Sequence, residues 1–324
     1  MAQSRTVVEN DLELIFVHLL FRHGDRAPSH LYPKDPIPET AWPRGLKQLT
    51  DRGIGKMFNQ GAWLRRRYVN GQPYRLLSER FERDEVYVRS SDSDRALESA
   101  QATLAGLYHR NPTSAESDDS PLLSQWEPIA VHSFVPEEED LVLRMNKVPC
   151  PKYDVLYQKN VNTIFSSYNE KYKDFFDYLE ENTGLEDMDV EVSTDVYTAI
   201  SRERDHNLTL PEWCDEEFEV DGVTRTAFDH VVELKRIDTI TEYQPQPMGK
   251  LLGGFLLGEI QRRMEDKIND NLEDGPQKMM IYSAHQQTCQ SLLYAADVGP
   301  QTIIPTGSTI VVELFRGVHS RPGK

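Results

Sequence analysis

The heptapeptide Arg22-His23-Gly24-Asp25-Arg26-Ala27-Pro28 constrains this chain more than any other stretch. It follows an apolar run, Leu12 to Phe21, that has the length of a buried strand. Gly24 lets the backbone leave that strand in a conformation other residues resist, and Pro28 marks the loop beyond. One histidine and two arginines therefore gather at the end of a strand, where α/β sheets bind ligands. An imidazole nitrogen is a competent nucleophile near neutral pH. Arg22 and Arg26 stay charged and present planar forks that suit phosphate oxygens. Such a trio would hold a phosphoryl group in line for attack by His23 and stabilise charge on its oxygens. An isolated Arg-His-Gly is more often an interior histidine beside salt-bridging arginines. The seven-residue string after a strand favours the chemical reading.

The bulk numbers sharpen this. A chain of 324 residues is one large domain or two smaller ones. Its net charge of −17 argues against nucleic acid and anionic membranes as partners. The same charge repels phosphorylated substrates in general, so arginines in one pocket must supply the attractive field. No apolar stretch approaches a membrane span, and Met1 to Asp11 lacks the apolar core of a signal peptide. The chain as written reads as cytosolic, or as one whose leader has been removed. Cys150, Cys214 and Cys289 are too few for a disulfide framework, and their odd number leaves at least one unpaired. Asn207-Leu208-Thr209 is a glycosylation acceptor only if the chain enters the secretory route.

Periodicity places further elements. Thr50 is an N-cap candidate for a helix to about Tyr68, with Ile54, Met57, Phe58, Gly61, Leu64 and Tyr68 on one face. Glu85 to Val88 reads as a short strand that Arg89 ends, and a helix through about His109 follows. Residues 111–120 are a polar break, and Gln125 to Val131 reads as a strand. From about 135 to 245, acidic clusters alternate with aromatic helical stretches such as Tyr168 to Leu179. The clusters are expected to be solvated faces and the aromatics a local core. Met248 to Ile268 is an amphipathic helix in which Gly253, Gly254 and Gly258 would permit close packing. A strand at Met279 to Ser283, a helix over about Cys289 to Ala296 and a strand at Thr309 to Phe315 complete the pattern. His18, His30, His109, His132, His206, His230 and His319 carry no assignment.

The heptapeptide resembles the signature of the histidine acid phosphatases, the branch of the histidine phosphatase superfamily that includes prostatic and lysosomal acid phosphatases. The resemblance extends through Trp42-Pro43, Gln48-Leu49-Thr50, Tyr87-Val88-Arg89-Ser90, Asp94-Arg95, Asn207 to Pro211 and Ile281 to His285. It implies an α/β fold, a three-layer α/β/α domain with a mostly parallel central sheet of the phosphoglycerate mutase type. Residues 11–130 and 246–324 would form that catalytic domain, and 131–245 an inserted helical cap. It implies His23 as the phosphorylated nucleophile, with Arg22, Arg26 and Arg89 binding phosphate and His285 donating to the phosphoryl oxygens. It implies a small phosphomonoester substrate, no cofactor and no metal. The family's lysosomal or secreted, glycosylated character conflicts with the polar N-terminus, so the compartment stays open. The assembly stays open between a monomer and a homodimer.

Two departures qualify the expected activity. Gln286 stands where the family has the aspartate that protonates the leaving alkoxide. An amide cannot give up a proton at useful cost, and losing general acid catalysis typically lowers rates by ~10²–10⁴-fold. The expectation is therefore an impaired phosphatase, or an inactive phosphate-ester-binding protein. Nothing places Asp92 or Asp94 as a substitute acid, and Asp25 is as readily structural as orienting. The chain also stops soon after the strand at 309–315, where family members continue into a cysteine-bearing tail. Cys150, which resembles the partner of that cysteine, would then be unpaired.

Overall fold

The computed structural model describes residues 12–109, 126–272 and 275–317. Strand β1 (Leu12–Arg22) is buried from Leu14 onward. Helix α1 (Asp51–Leu64) starts at Thr50, whose hydroxyl accepts the Gly53 amide at 3.0 Å, and runs into one π turn, Arg65–Val69. Strand β2 (Val86–Ser90) and helix α2 (Asp94–Leu107) follow. The helical segment beyond them comprises α3 (Pro151–Asn160), α4 (Ser166–Lys171), α5 (Lys173–Thr183), α6 (Val190–Asp205), the hairpin β3 (Glu217–Val220) and β4 (Val223–Thr226), and α7 (Ala227–Thr241). Helix α8 (Gln246–Ile268), strand β5 (Met279–Ala284), helix α9 (Gln286–Ala295) and strand β6 (Thr309–Gly317) return to the sheet.

The main sheet has the order β2-β5-β1-β6, with β6 alone antiparallel to its neighbour. Alternation along β1 sends Val17, Leu19 and Phe21 to the face covered by α1 and α2, and Phe16 and Leu20 to the face covered by α8 and α9. A register shift between Leu14 and Phe16 puts Leu14 on the first face, out of the alternation. This is the expected three-layer α/β/α arrangement with mostly parallel strands. A third apolar cluster lies within the helical segment, where Phe175, Phe176, Leu179, Ile200, Trp213 and Val231 pack together. The aromatics of 168–179 thus form a core, as their pattern suggested.

Several details depart from the sequence pattern. Residues 126–131 form no strand; His132 alone bridges Arg89. The β3–β4 hairpin turns at Asp221 and Gly222, both at positive φ, and its short exposed strands carry little apolar alternation to reveal them. At Gly253 a Cβ would lie 1.9 Å from the Ser291 carbonyl, so glycine is what lets α8 lie against α9. Gly254 and Gly258 face open space and serve no such contact. The polar break at 111–120, Gln125 and His319 lie outside the described residues. No described helix is long and apolar enough to cross a membrane.

Candidate active site

The parallel strands end in register. Arg22 pairs with Ala284, and Ser90 with Ser283. The residues that follow each strand, His23, Ser91 and His285, therefore emerge side by side. The His23 amide donates to the Ala284 carbonyl at 2.9 Å, and the two imidazole centroids are 5.5 Å apart. The loop after His23 is pinned from beneath: the Gly24 amide donates to Ser99 Oγ at 3.0 Å, and a Cβ on Gly53 would sit 2.2 Å from the Asp25 carbonyl. Glycine at the start of α1 is what allows that loop to lie so close.

The hydrogen bonds assign protons. His23 Nδ1 faces the Gly24 carbonyl at 2.9 Å, and a carbonyl only accepts, so Nδ1 carries the hydrogen and Nε2 keeps its lone pair. Burial, reinforced by Arg22 and His285, holds His23 well below the ordinary histidine range. That environment favours the neutral imidazole. His285 caps α9, with Nε2 2.7 Å from Ser91 Oγ and Nδ1 3.4 Å from Arg95 Nη2. Burial, then Arg144 and Arg95, also push its pKa down. A guanidinium only donates, so Nδ1 accepts from Arg95 and Nε2 carries the hydrogen toward Ser91 Oγ.

Around these rings gather cations of which, among the described residues, only Arg144 has a close acid, Glu137 at 3.1 Å. Arg22 is buried, with Nη1 donating to the Ile304 carbonyl and Nε unpartnered. Arg26 donates to the Ala27 carbonyl at 2.7 Å. Burial and the surrounding arginines, Arg202 foremost, lower both Arg22 and Arg26 to about 9, so they remain charged at neutral and acid pH. Arg95, in the first turn of α2, and Arg144 each keep a buried Nε without a partner. No acidic side chain hydrogen-bonds either imidazole among the described residues.

Arg89 is placed differently from the expectation. It lies within β2, not after it, on the same face as Tyr87, and its Nη2 donates to Asp140 Oδ1 at 2.7 Å. Asp140 is itself buried and accepts the amides of Val142 and Leu143, so Arg89 is neutralised away from the imidazoles. Arg95 is the third arginine that the fold brings to the histidines. Its signal in the sequence was electrostatic: a cation in the first turn of a helix opposes the helix dipole and calls for a compensating anion.

The remaining expectations resolve as follows. Asp25 turns away from His23: Oδ2 accepts Thr50 Oγ1 at 2.6 Å and lies 2.5 Å from His206 Nε2. It is an orienting group that ties the loop to α1 and α6. Asp92 and Asp94 are exposed. Gln286, the first residue of α9, donates to Gln290 Oε1 at 3.0 Å and reaches Thr239 Oγ1 at 3.5 Å. The three cysteines are free, and Asn207 is exposed.

Comparison with known proteins settles the kinship. Residues 13–322 match the sequence model of the histidine phosphatase superfamily (branch 2). The chain belongs to that family. It is 35% identical over 305 residues to the prostatic acid phosphatase of Bos taurus, covering 94% of this chain and 74% of the other. It is also 35% identical to the lysosomal acid phosphatase of Homo sapiens, covering 94% and 67%. Among solved structures, the apo phytase of Hafnia alvei superposes with a TM-score of 0.67 at 16% identity, over 96% of this chain and 83% of that one. That likeness shows the same fold. By class, this histidine phosphatase is a phosphomonoesterase.

Proposed function

We propose that the chain hydrolyses phosphomonoesters in two steps through a phosphohistidine at His23, slowly where the leaving group is an alkoxide. The observation that carries the reading is the proton assignment at His23: Nδ1 is held by the Gly24 carbonyl and Nε2 keeps a free lone pair beside four arginines. In the first step Nε2 forms a bond to phosphorus and the bond from phosphorus to the ester oxygen breaks. Arg22, Arg26 and Arg95 take the phosphoryl oxygens; as Arg95 turns from His285 Nδ1 to the phosphoryl group, the ring proton moves to Nδ1, Ser91 donates to Nε2, and Nδ1–H adds a further hydrogen bond. In the second step water attacks phosphorus, the P–N bond breaks, and neutral His23 is restored.

The departing oxygen is the weak point. The Gln286 amide is engaged by Gln290 and Thr239 and has no proton to give, so the alkoxide must take its proton from solvent. Gln286→Asp is expected to raise turnover of an alkyl phosphate by about 10²-fold and of a nitrophenyl phosphate much less. Activity in the wild type is expected to persist well below pH 6.5, because His23 stays unprotonated there. A wild type that turns over neither substrate while still binding inorganic phosphate would overturn this reading in favour of a binding protein. The two-part organisation, 11–130 with 246–324 and the helical insertion 131–245, is part of the same proposal; α6 of the insertion ends beside the heptapeptide loop, with His206 against Asp25.

A further inference from the structure

Helix α6 ends against the active-site loop. His206, its C-cap, lies 2.5 Å from Asp25 Oδ2 and meets the Trp42 ring edge-on at 5.0 Å. Arg52 of α1 donates to the Asp205 carbonyl. One turn earlier, at the i−4 position, Arg202 shares the His206 face of the helix. Its side chain is only 9% exposed. Its Nε has no partner, and its one carboxylate neighbour, Asp205, is 3.5 Å away and half-exposed. Ser201 beside it is buried with an unpartnered Oγ. A buried guanidinium so poorly matched is unusual, because buried charges are ordinarily paired.

Arg202 is the foremost charge acting on both Arg22 and Arg26, yet it is not among the leading charges at either imidazole. Arg202 thus lies close to Arg22 and Arg26, on the helix whose end contacts the active-site loop through His206 and Asp25.

We propose that Ser201 and Arg202 form a second oxyanion subsite, and that the preferred substrates are phosphomonoesters carrying another negative group, a carboxylate or a second phosphate, close to the reacting one. This rests on the phosphatase reading for the first subsite and adds a specificity determinant supplied by the inserted helices. The reacting phosphoryl group is held by Arg22, Arg26, Arg95 and His285; the second oxyanion answers the orphaned Arg202 Nε and Ser201 Oγ.

Calorimetric titration tests this without needing turnover. The probes are inorganic phosphate, methylphosphonate, phosphonoacetate, 3-phosphonopropionate and methylenediphosphonate, against wild type, Arg202→Gln, Arg202→Lys and Arg204→Gln. Arg204 is exposed on the same helix and lies over Phe228, so its variant removes an equal charge outside the site. A charge-assisted pair predicts that at least one of the doubly anionic probes binds wild type about tenfold more tightly than methylphosphonate. The carboxylate-bearing and bisphosphonate probes show which second group is preferred. That ratio is expected to collapse toward one in Arg202→Gln, to survive in part in Arg202→Lys and to persist in Arg204→Gln. Equal ratios in the two glutamine variants, or no preference in wild type while phosphate binds, would overturn the second subsite alone. Failure of every probe, inorganic phosphate included, would overturn the first subsite and this one together.

Discussion

Two clusters of like charge sit on either side of one helix. Consecutive residues of α6 serve them: Arg202 joins the arginines around His23, whereas Glu203 turns toward Asp35 in the loop after the heptapeptide. Both places are buried and neither is fully compensated: among the arginines, Arg144 meets Glu137 at 3.1 Å and Arg202 has only the half-exposed Asp205 at 3.5 Å. They resolve the repulsion differently. The carboxyls can hold a proton between them: Asp35 accepts the Ile37 amide at 2.9 Å, and burial with Asp35 raises Glu203 well above the carboxylate range. Tyr32 and Cys214, which face the same pair, are also pushed upward by burial and stay neutral. The arginines cannot shed their charge, since even Arg22 and Arg26 titrate only near 9. Only an anion can balance them. A buried acid pair is therefore compatible with structure alone, while a buried cation cluster implies a ligand.

Removing arginines from different places should separate these cases. Arg95→Ala is expected to lower kcat/KM for a nitrophenyl phosphate by about 10²–10³-fold, the usual effect of deleting one donor to a developing oxyanion. Arg89→Ala should leave kcat/KM within a few-fold, yet lose about 3 kcal/mol of stability in urea unfolding, because Asp140 would remain buried without its cation. If Arg89→Ala cost the larger share of activity, the division between neutralised and unneutralised arginines would be wrong. The smallest effect concerns the acid pair. A carboxyl raised on folding stabilises fully below its unfolded value, and that contribution fades as pH rises through the folded value. Wild-type stability is thus expected to fall above about pH 4.3, by up to ~1.4 kcal/mol per pH unit for one proton. Glu203→Gln, which donates to Asp35 at any pH, should flatten that slope in thermal melts; an unchanged slope would show that the pair does not hold the proton.

Much of this was legible in residues alone. Leu12 to Phe21, the capped helix at Thr50, the α8 pattern and the strand before His285 all appear where their periodicity put them, because burial on one or two faces writes itself into sequence. His23, Arg22 and Arg26 are read together because they are neighbours in the chain. Arg89 misled for a definite reason: β2 continues two residues further than its apolar residues, and alternation turns Arg89 to the Tyr87 face. Its partner Asp140 is 51 residues away in an irregular segment with no periodic signal. Arg202 gave still less warning, since a cation in the last turn of a helix suits the dipole and looks like an ordinary surface residue.

The amino-acid string by itself determined the chemistry on offer: an imidazole between two arginines at a strand end, a second histidine at another, and the amide of Gln286 directly after it. Tertiary structure decided which charges meet. Strand alternation and the docking of α6 choose which few of the 23 arginines gather at the histidines, and electrostatic pairing between distant segments depends on through-space distance, which linear order does not encode.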